Sequence, residues 1–198
     1  MPQARTLNSK ELKLLLLYIA TRKFAARDRA MVLMTYLAGM RIAEVAATRV
    51  GDVLALDGTI KQEIALKAEQ TKGKRGRAVV LSERLRKELL AYLQNRFGTK
   101  QLIDITRTDA MQKPLFATQK REGFSASTAC WHFAMLYRAA GLSGCSSHSG
   151  RRTFLTNLSA KAVPVRVMME LAGHRSAQVT MKYCDVTADM KRAAVELL

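Results

Sequence analysis

The residues with the most chemistry to offer are clustered toward the C-terminal end: His148-Ser149-Gly150-Arg151, Gly173-His174 and Tyr183, in a chain with three histidines in all. Upstream, Arg41 lies in Gly39-Met40-Arg41-Ile42-Ala43-Glu44, and Lys72 directly precedes Gly73 in a basic turn. Guanidinium groups stay charged and fork onto phosphate oxygens. Imidazoles, an ammonium and a phenol can move protons or attack phosphorus. With no acidic cluster among them, this set suits chemistry on a phosphodiester without a metal.

The composition agrees with such a substrate. The chain has 198 residues, 48% hydrophobic and 25% charged, enough for one domain with a real core and unlike a disordered tail. Lys and Arg total 33 against 16 Asp and Glu, a net charge of +17. A surface this self-repelling is best tolerated beside a polyanion, with nucleic acid the first candidate and an anionic membrane the second. Cys130, Cys145 and Cys184 are odd in number and lack CxxC spacing, which argues against a disulfide framework or a zinc site and fits a reducing cytosol. The N-terminus lacks a signal-peptide core, and the leucines at 14–17 are too few to cross a bilayer, so a soluble, cytoplasmic protein is expected.

The elements that must position these residues read as mainly α with a small antiparallel β-sheet, an α+β class. Asn8 or Ser9 caps a helix to about 20. A second helix runs over 26–37 and stops at Gly39, and a third starts near Arg41 and ends before Gly51. The segments 53–56, 59–67 and 78–81 are β-prone, broken by Asp57-Gly58, Gly73 and Gly76, and predict a three-part antiparallel meander. Ser82 caps an amphipathic helix over 83–96. Residues 98–123 read as irregular. Further helices are expected over 127–140, 148–158, from Pro164 to 171, and 188–198. Trp131 and His132, on the 127–140 helix, are expected to pack, unless that helix lies against a DNA groove.

Taken in order, the motifs from Arg41 to Tyr183 resemble the catalytic domain of the tyrosine recombinases, or phage integrase family. They are Ala38-Gly39-Met40-Arg41-Ile42-Ala43-Glu44, the run from Lys72-Gly73 to Val80-Leu81, His148-Ser149-Gly150-Arg151, and Leu171-Ala172-Gly173-His174 followed by Tyr183. The resemblance implies that fold and a cut-and-rejoin reaction on double-stranded DNA. Tyr183 would attack the scissile phosphorus, leaving a 3′-phosphotyrosine and a free 5′-hydroxyl. Arg41 and Arg151 would bind the non-bridging oxygens as charge grows in the transition state. His174 would donate a further hydrogen bond to the phosphate, and His148 would assist proton movement. Lys72 would protonate the departing 5′-oxygen. The covalent link stores the bond energy of the broken diester, so no ATP is expected; with no Walker-type loop and no Asp/Glu set that suggests a divalent ion, no cofactor or metal is expected either.

Lys72, Lys74, Arg75 and Arg77 crowd one turn, and a basic hairpin tip is commonly a solvated phosphate-binding element. Lys72 is singled out as the acid because it sits against Gly73 at the family's spacing. Lys74, Arg75 and Arg77, with Lys120 and Arg121 ahead of the 127–140 helix, are assigned to DNA binding. Glu44 is expected to pair with a neighbouring basic group.

The sequence departs from the family at Gly150, where a bulky apolar residue is usual, and at Arg152, where histidine is frequent. Residues 1–198 read as a single catalytic domain with no separate N-terminal DNA-clamping domain, as in inversion recombinases of the fimbrial-switch type. The expected function is site-specific recombination of the integrase or invertase kind by a DNA-bound homotetramer, nucleoid-associated and with accessory DNA-bending proteins as further partners. Two alternatives stay open: a type IB topoisomerase-like relaxing enzyme, and a DNA-binding regulator that does not cut. The last helix would dock on a neighbouring protomer or pack on its own core.

Overall fold

Helix α1 (Ser9–Ala20) starts where the sequence places a cap. Asn8 Oδ1 accepts from the Glu11 N–H at 2.9 Å, and Glu11 Oε2 accepts from the Asn8 N–H at 2.9 Å. This capping box satisfies two of the donors that a helix start leaves open. The computed structural model describes residues 4–71, 75–118, 123–183 and 188–196.

Helix α2 (Ala25–Leu37) is the axis of the core. Met31, Val32, Leu33 and Met34 are all fully buried, so its central turn is apolar on every side and must be enclosed. It packs against α1, α5 (Glu83–Phe97) and α7 (Ser149–Ala160). On α5, Leu85, Leu89 and Leu93 are each fully buried. Burying a leucine stabilises by about 1.5–3 kcal/mol. Ser82 caps this helix, and Gly98, at φ +64°, ends it in the left-handed conformation.

The sheet is smaller than the expected meander. Among the described residues only β1 (Glu63–Leu66) and β2 (Arg77–Val80) pair as strands, antiparallel, with Glu63 opposite Val80 and Leu66 opposite Arg77. The expected strand over 53–56 is replaced by a helical turn, α4 (Val50–Val53), followed by one isolated bridge from Leu54 to Ile60. Local capping overrides strand propensity there: Asp52 Oδ2 accepts from the Arg49 N–H at 2.8 Å and from Gln70 Nε2 at 2.7 Å. The expected third helix is cut short as α3 (Ile42–Ala47), because Thr48 turns extended and donates its hydroxyl to the Glu44 carbonyl at 2.8 Å. The stretch read as irregular holds two 3₁₀ helices, Leu102–Arg107 and Asp109–Gln112.

Helix α6 (Ala126–Ala139) buries Ala129, Phe133, Leu136 and Tyr137. Trp131 lies on the opposite side of that stripe and is 67% exposed, contrary to its expected packing. His132 does turn inward, with Nε2 2.8 Å from Oδ1 of the buried Asp28. Helix α7 explains the departure at Gly150: a Cβ there would overlap the Thr35 hydroxyl of α2, so the two helices approach too closely for a side chain. Helices α8 (Val165–Ala172), α9 (Ala177–Met181) and α10 (Ala188–Val195) complete the chain; α9 was not expected. A satellite cluster of Leu155, Met168 and Ala172, flanked by Phe154, Leu158 and Val163, supports Tyr183.

Candidate active site

Five of the six residues singled out for chemistry share one cavity of about 480 Å³: Arg41, His148, Arg151, His174 and Tyr183 all line it. The sixth, Lys72, lies outside the described residues, as do Lys74, Lys120 and Arg121.

Arg41 precedes α3, in extended backbone that turns its side chain from the helix toward the cavity. Glu44, fully buried one turn later, accepts from the Arg41 N–H at 2.8 Å and from Arg41 Nη1 at 2.9 Å. Burial opposes the charge on Glu44, yet Arg77 and Arg41 prevail and hold its carboxyl below the ordinary range. Arg77, assigned from sequence to the DNA-facing surface, points inward. Its side chain is 11% exposed and its Nη2 sits 2.7 Å from Glu44 Oε2. Arg75 is exposed on the hairpin.

Arg151 comes from the first turn of α7 and is almost wholly buried. Its Nη1 donates to the Gly39 carbonyl, and its Nη2 donates to the Ala172 carbonyl at 2.7 Å and to His174 Nε2 at 2.9 Å. Burial first, then Arg41, pulls its pKa down to about 9, so it stays charged at neutral pH but poorly compensated. An anion entering the cavity relieves that cost.

Gly173 ends α8 at φ +63°, letting the chain double back so that the His174 N–H reaches the Met169 carbonyl at 3.0 Å. A guanidinium only donates, so His174 Nε2 accepts, and the proton rests on Nδ1, which donates to Thr180 Oγ1 at 2.9 Å. Burial, followed by Arg151, Arg41 and Arg77, lowers the His174 pKa to about 4. Thr180 is fully buried on α9 and carried no signal in the sequence beyond its place between His174 and Tyr183. Tyr183 follows α9 directly. Its ring stacks on His174 with centroids 5.9 Å apart at 19°, and the Arg152 guanidinium carbon lies 5.7 Å from its centroid. His148 caps α7 at the cavity's edge, with Nδ1 3.3 Å from Ser147 Oγ. Among the described residues, no three His, Cys, Asp or Glu side chains are grouped to hold a metal ion.

Residues 5–190 match the family model described as the phage integrase family. The chain belongs to the phage integrase family. A tyrosine recombinase XerA of Thermococcus kodakarensis is 30% identical over 194 residues, 97% of this chain and 62% of that protein. A tyrosine recombinase XerC of Pelobacter propionicus is 26% identical, over 84% of this chain and 50% of that one. The chain therefore spans between half and two thirds of these curated relatives. A crystal structure of XerA recombinase superposes with a TM-score of 0.74 at 24% identity, covering all of this chain and 66% of that one. XerH site-specific recombinase bound to its difH substrate gives 0.68 at 22%, over 96% and 53%. The fold is that of the phage integrase family's catalytic domain. Within it the cavity combines two arginines able to hold a phosphate, a histidine whose two ring nitrogens are held by Arg151 and Thr180, and a phenol stacked against that histidine.

Proposed function

We propose that this chain is the catalytic part of a site-specific tyrosine recombinase, cleaving and rejoining double-stranded DNA through a 3′-phosphotyrosine link. The observation that carries the reading is the shared cavity, which Arg41, Arg151, His148 and His174 line together with Tyr183. In the step proposed, the Tyr183 oxygen bonds to phosphorus while the bond from phosphorus to the 5′-oxygen breaks. Arg41 and Arg151 hold the two non-bridging oxygens, where preorganised donors are worth most. His148 helps remove the phenol proton, and Lys72 supplies a proton to the departing 5′-oxygen. His174 becomes a donor to the phosphate once the incoming negative charge favours its protonated form. Reversal with a different 5′-hydroxyl rejoins the strands without ATP.

DNA is the partner that the net charge of +17 favours. Arg75, with Lys74, Lys120 and Arg121, would contact phosphates beside the cleavage site. The exposed Val195 of α10 supports docking of this helix on a neighbouring protomer in a DNA-bound tetramer. No helix among the described residues is long and apolar enough to cross a membrane, and action on chromosomal DNA would place the protein in the cytoplasm.

The test is a denaturing gel for covalent protein–DNA adducts, using labelled nicked duplexes tiled across the DNA flanking the gene. Wild type should give an adduct on one duplex and Tyr183→Phe none, with DNA binding alike in both. Binding without an adduct on any duplex would favour the non-cutting DNA-binding reading. Relaxation of any supercoiled plasmid without sequence preference would favour the topoisomerase-like one.

A further inference from the structure

Glu44 is fully buried and accepts from two arginines at once. Arg41 Nη1 lies 2.9 Å from Oε1, while Arg77 places Nη2 2.7 Å from Oε2 and Nε 3.3 Å from Oε1. Arg77 has the two-pronged grip and Arg41 the single one, so Arg41 keeps donors for the cavity it lines. The Arg77 side chain is 11% exposed against 30% for Arg41. Its remaining nitrogen, Nη1, donates to the Leu171 carbonyl at 2.9 Å. That carbonyl is in the last turn of α8, beside the Ala172 carbonyl that receives Arg151. A Cβ at Gly173 would come within 2.5 Å of Arg77 Cδ, so the turn leading to His174 is shaped around this side chain. One guanidinium thus touches both the carboxylate that steadies Arg41 and the helix end that presents His174.

We infer that Arg77 is a positioning residue: it keeps Arg41 and His174 in register with each other around the scissile phosphate, without touching the substrate. The inference rests on the recombinase reading above. Without Arg77, the whole charge of Glu44 falls to Arg41, whose fork closes on the carboxylate and leaves the cavity. The Leu171 carbonyl also loses its donor, and the α8 end is released from the hairpin. A lysine neutralises Glu44 as a point charge but does not span to Leu171 as well.

The experiment measures single-turnover adduct formation on whichever nicked duplex gives the wild-type adduct, together with DNA affinity and thermal unfolding. Arg77→Lys should fold and bind DNA within about threefold of wild type, yet form adduct at least about tenfold more slowly, as expected for misplaced donors. Combining it with His174→Ala should lose less than the product of the two single losses, because both act on one arrangement. Arg77→Met should be slower still; if it unfolds, the lysine variant carries the test. Wild-type rates in Arg77→Lys, a rate loss matched by lost affinity, or multiplicative losses in the double variant would each overturn the assignment. Absence of any wild-type adduct overturns the recombinase reading, and this inference with it.

Discussion

Arg151 Nη2 lies 2.9 Å from His174 Nε2, and because the guanidinium can only donate, the imidazole is held as an acceptor. The buried Thr180 takes the proton on the other ring nitrogen at 2.9 Å, which fixes the neutral tautomer. In this arrangement His174 is not a donor to phosphate, the role that the family resemblance implied. Under the proposed function it would become one by gaining a proton, with the charge of a bound phosphate favouring the protonated form. Arg151 and His174 are therefore placed to exchange a hydrogen bond with each other for bonds to a substrate anion.

The His174 pKa of about 4 has a consequence for stability. The folded value lies below the ordinary 6.5, so the unfolded chain takes up its proton first as pH falls. Folding is thereby weakened progressively from about pH 6.5 down to about 4, and unaffected by this group above 6.5. Melting curves of His174→Gln should fall less steeply across that window than wild type. Parallel curves would show that the depressed pKa is absent.

Arg151→Lys should keep the positive charge but lose the fan of donors to Gly39, Ala172 and His174. Removing one preorganised donor to a developing oxyanion costs about 2.7–4 kcal/mol, or roughly 10²–10³ in rate. Adduct formation should fall by that order while duplex affinity changes little. A variant that cleaves at the wild-type rate would remove Arg151 from the phosphate cradle.

Gly150→Ala should destabilise the fold by about 1–3 kcal/mol, because the added methyl group runs into Thr35 across the α2–α7 contact. Thr35→Ala in the same chain removes the hydroxyl it meets and should recover part of the loss. Urea unfolding of the single and double variants reads this directly, and simple additivity would contradict the contact.

Lys120→Ala combined with Arg121→Ala should weaken duplex binding and flatten its salt dependence by about one to two in the slope of log K against log salt, as for one or two phosphate contacts. An unchanged slope with unchanged affinity would take this loop off the DNA.

Much of this protein was legible in its sequence, because the signals were local or motif-borne. The caps at Asn8 and Ser82, the leucine stripe on α5 and the glycine stop at Gly39 each act within a turn or two of chain. The order of Arg41, His148, Arg151, His174 and Tyr183 carried the family, and the fold does bring these five residues to one cavity. Where local signals competed, the sequence misled: Val53 looked like a strand until Asp52 captured the Arg49 and Gln70 donors into a helical turn.

The arrangement within the cavity was decided only by tertiary structure. Arg77 reads as one more cation in a basic hairpin; only the burial of Glu44 and the passage beneath Gly173 turn it inward. Thr180 is one hydroxyl among many until α9 sets it against His174. The tautomer of that histidine follows from contacts with two other helices. Residue types and spacing determine which chemistry is available. Protonation and direction depend on desolvation and on partners far away along the chain, which exist only once the helices have packed.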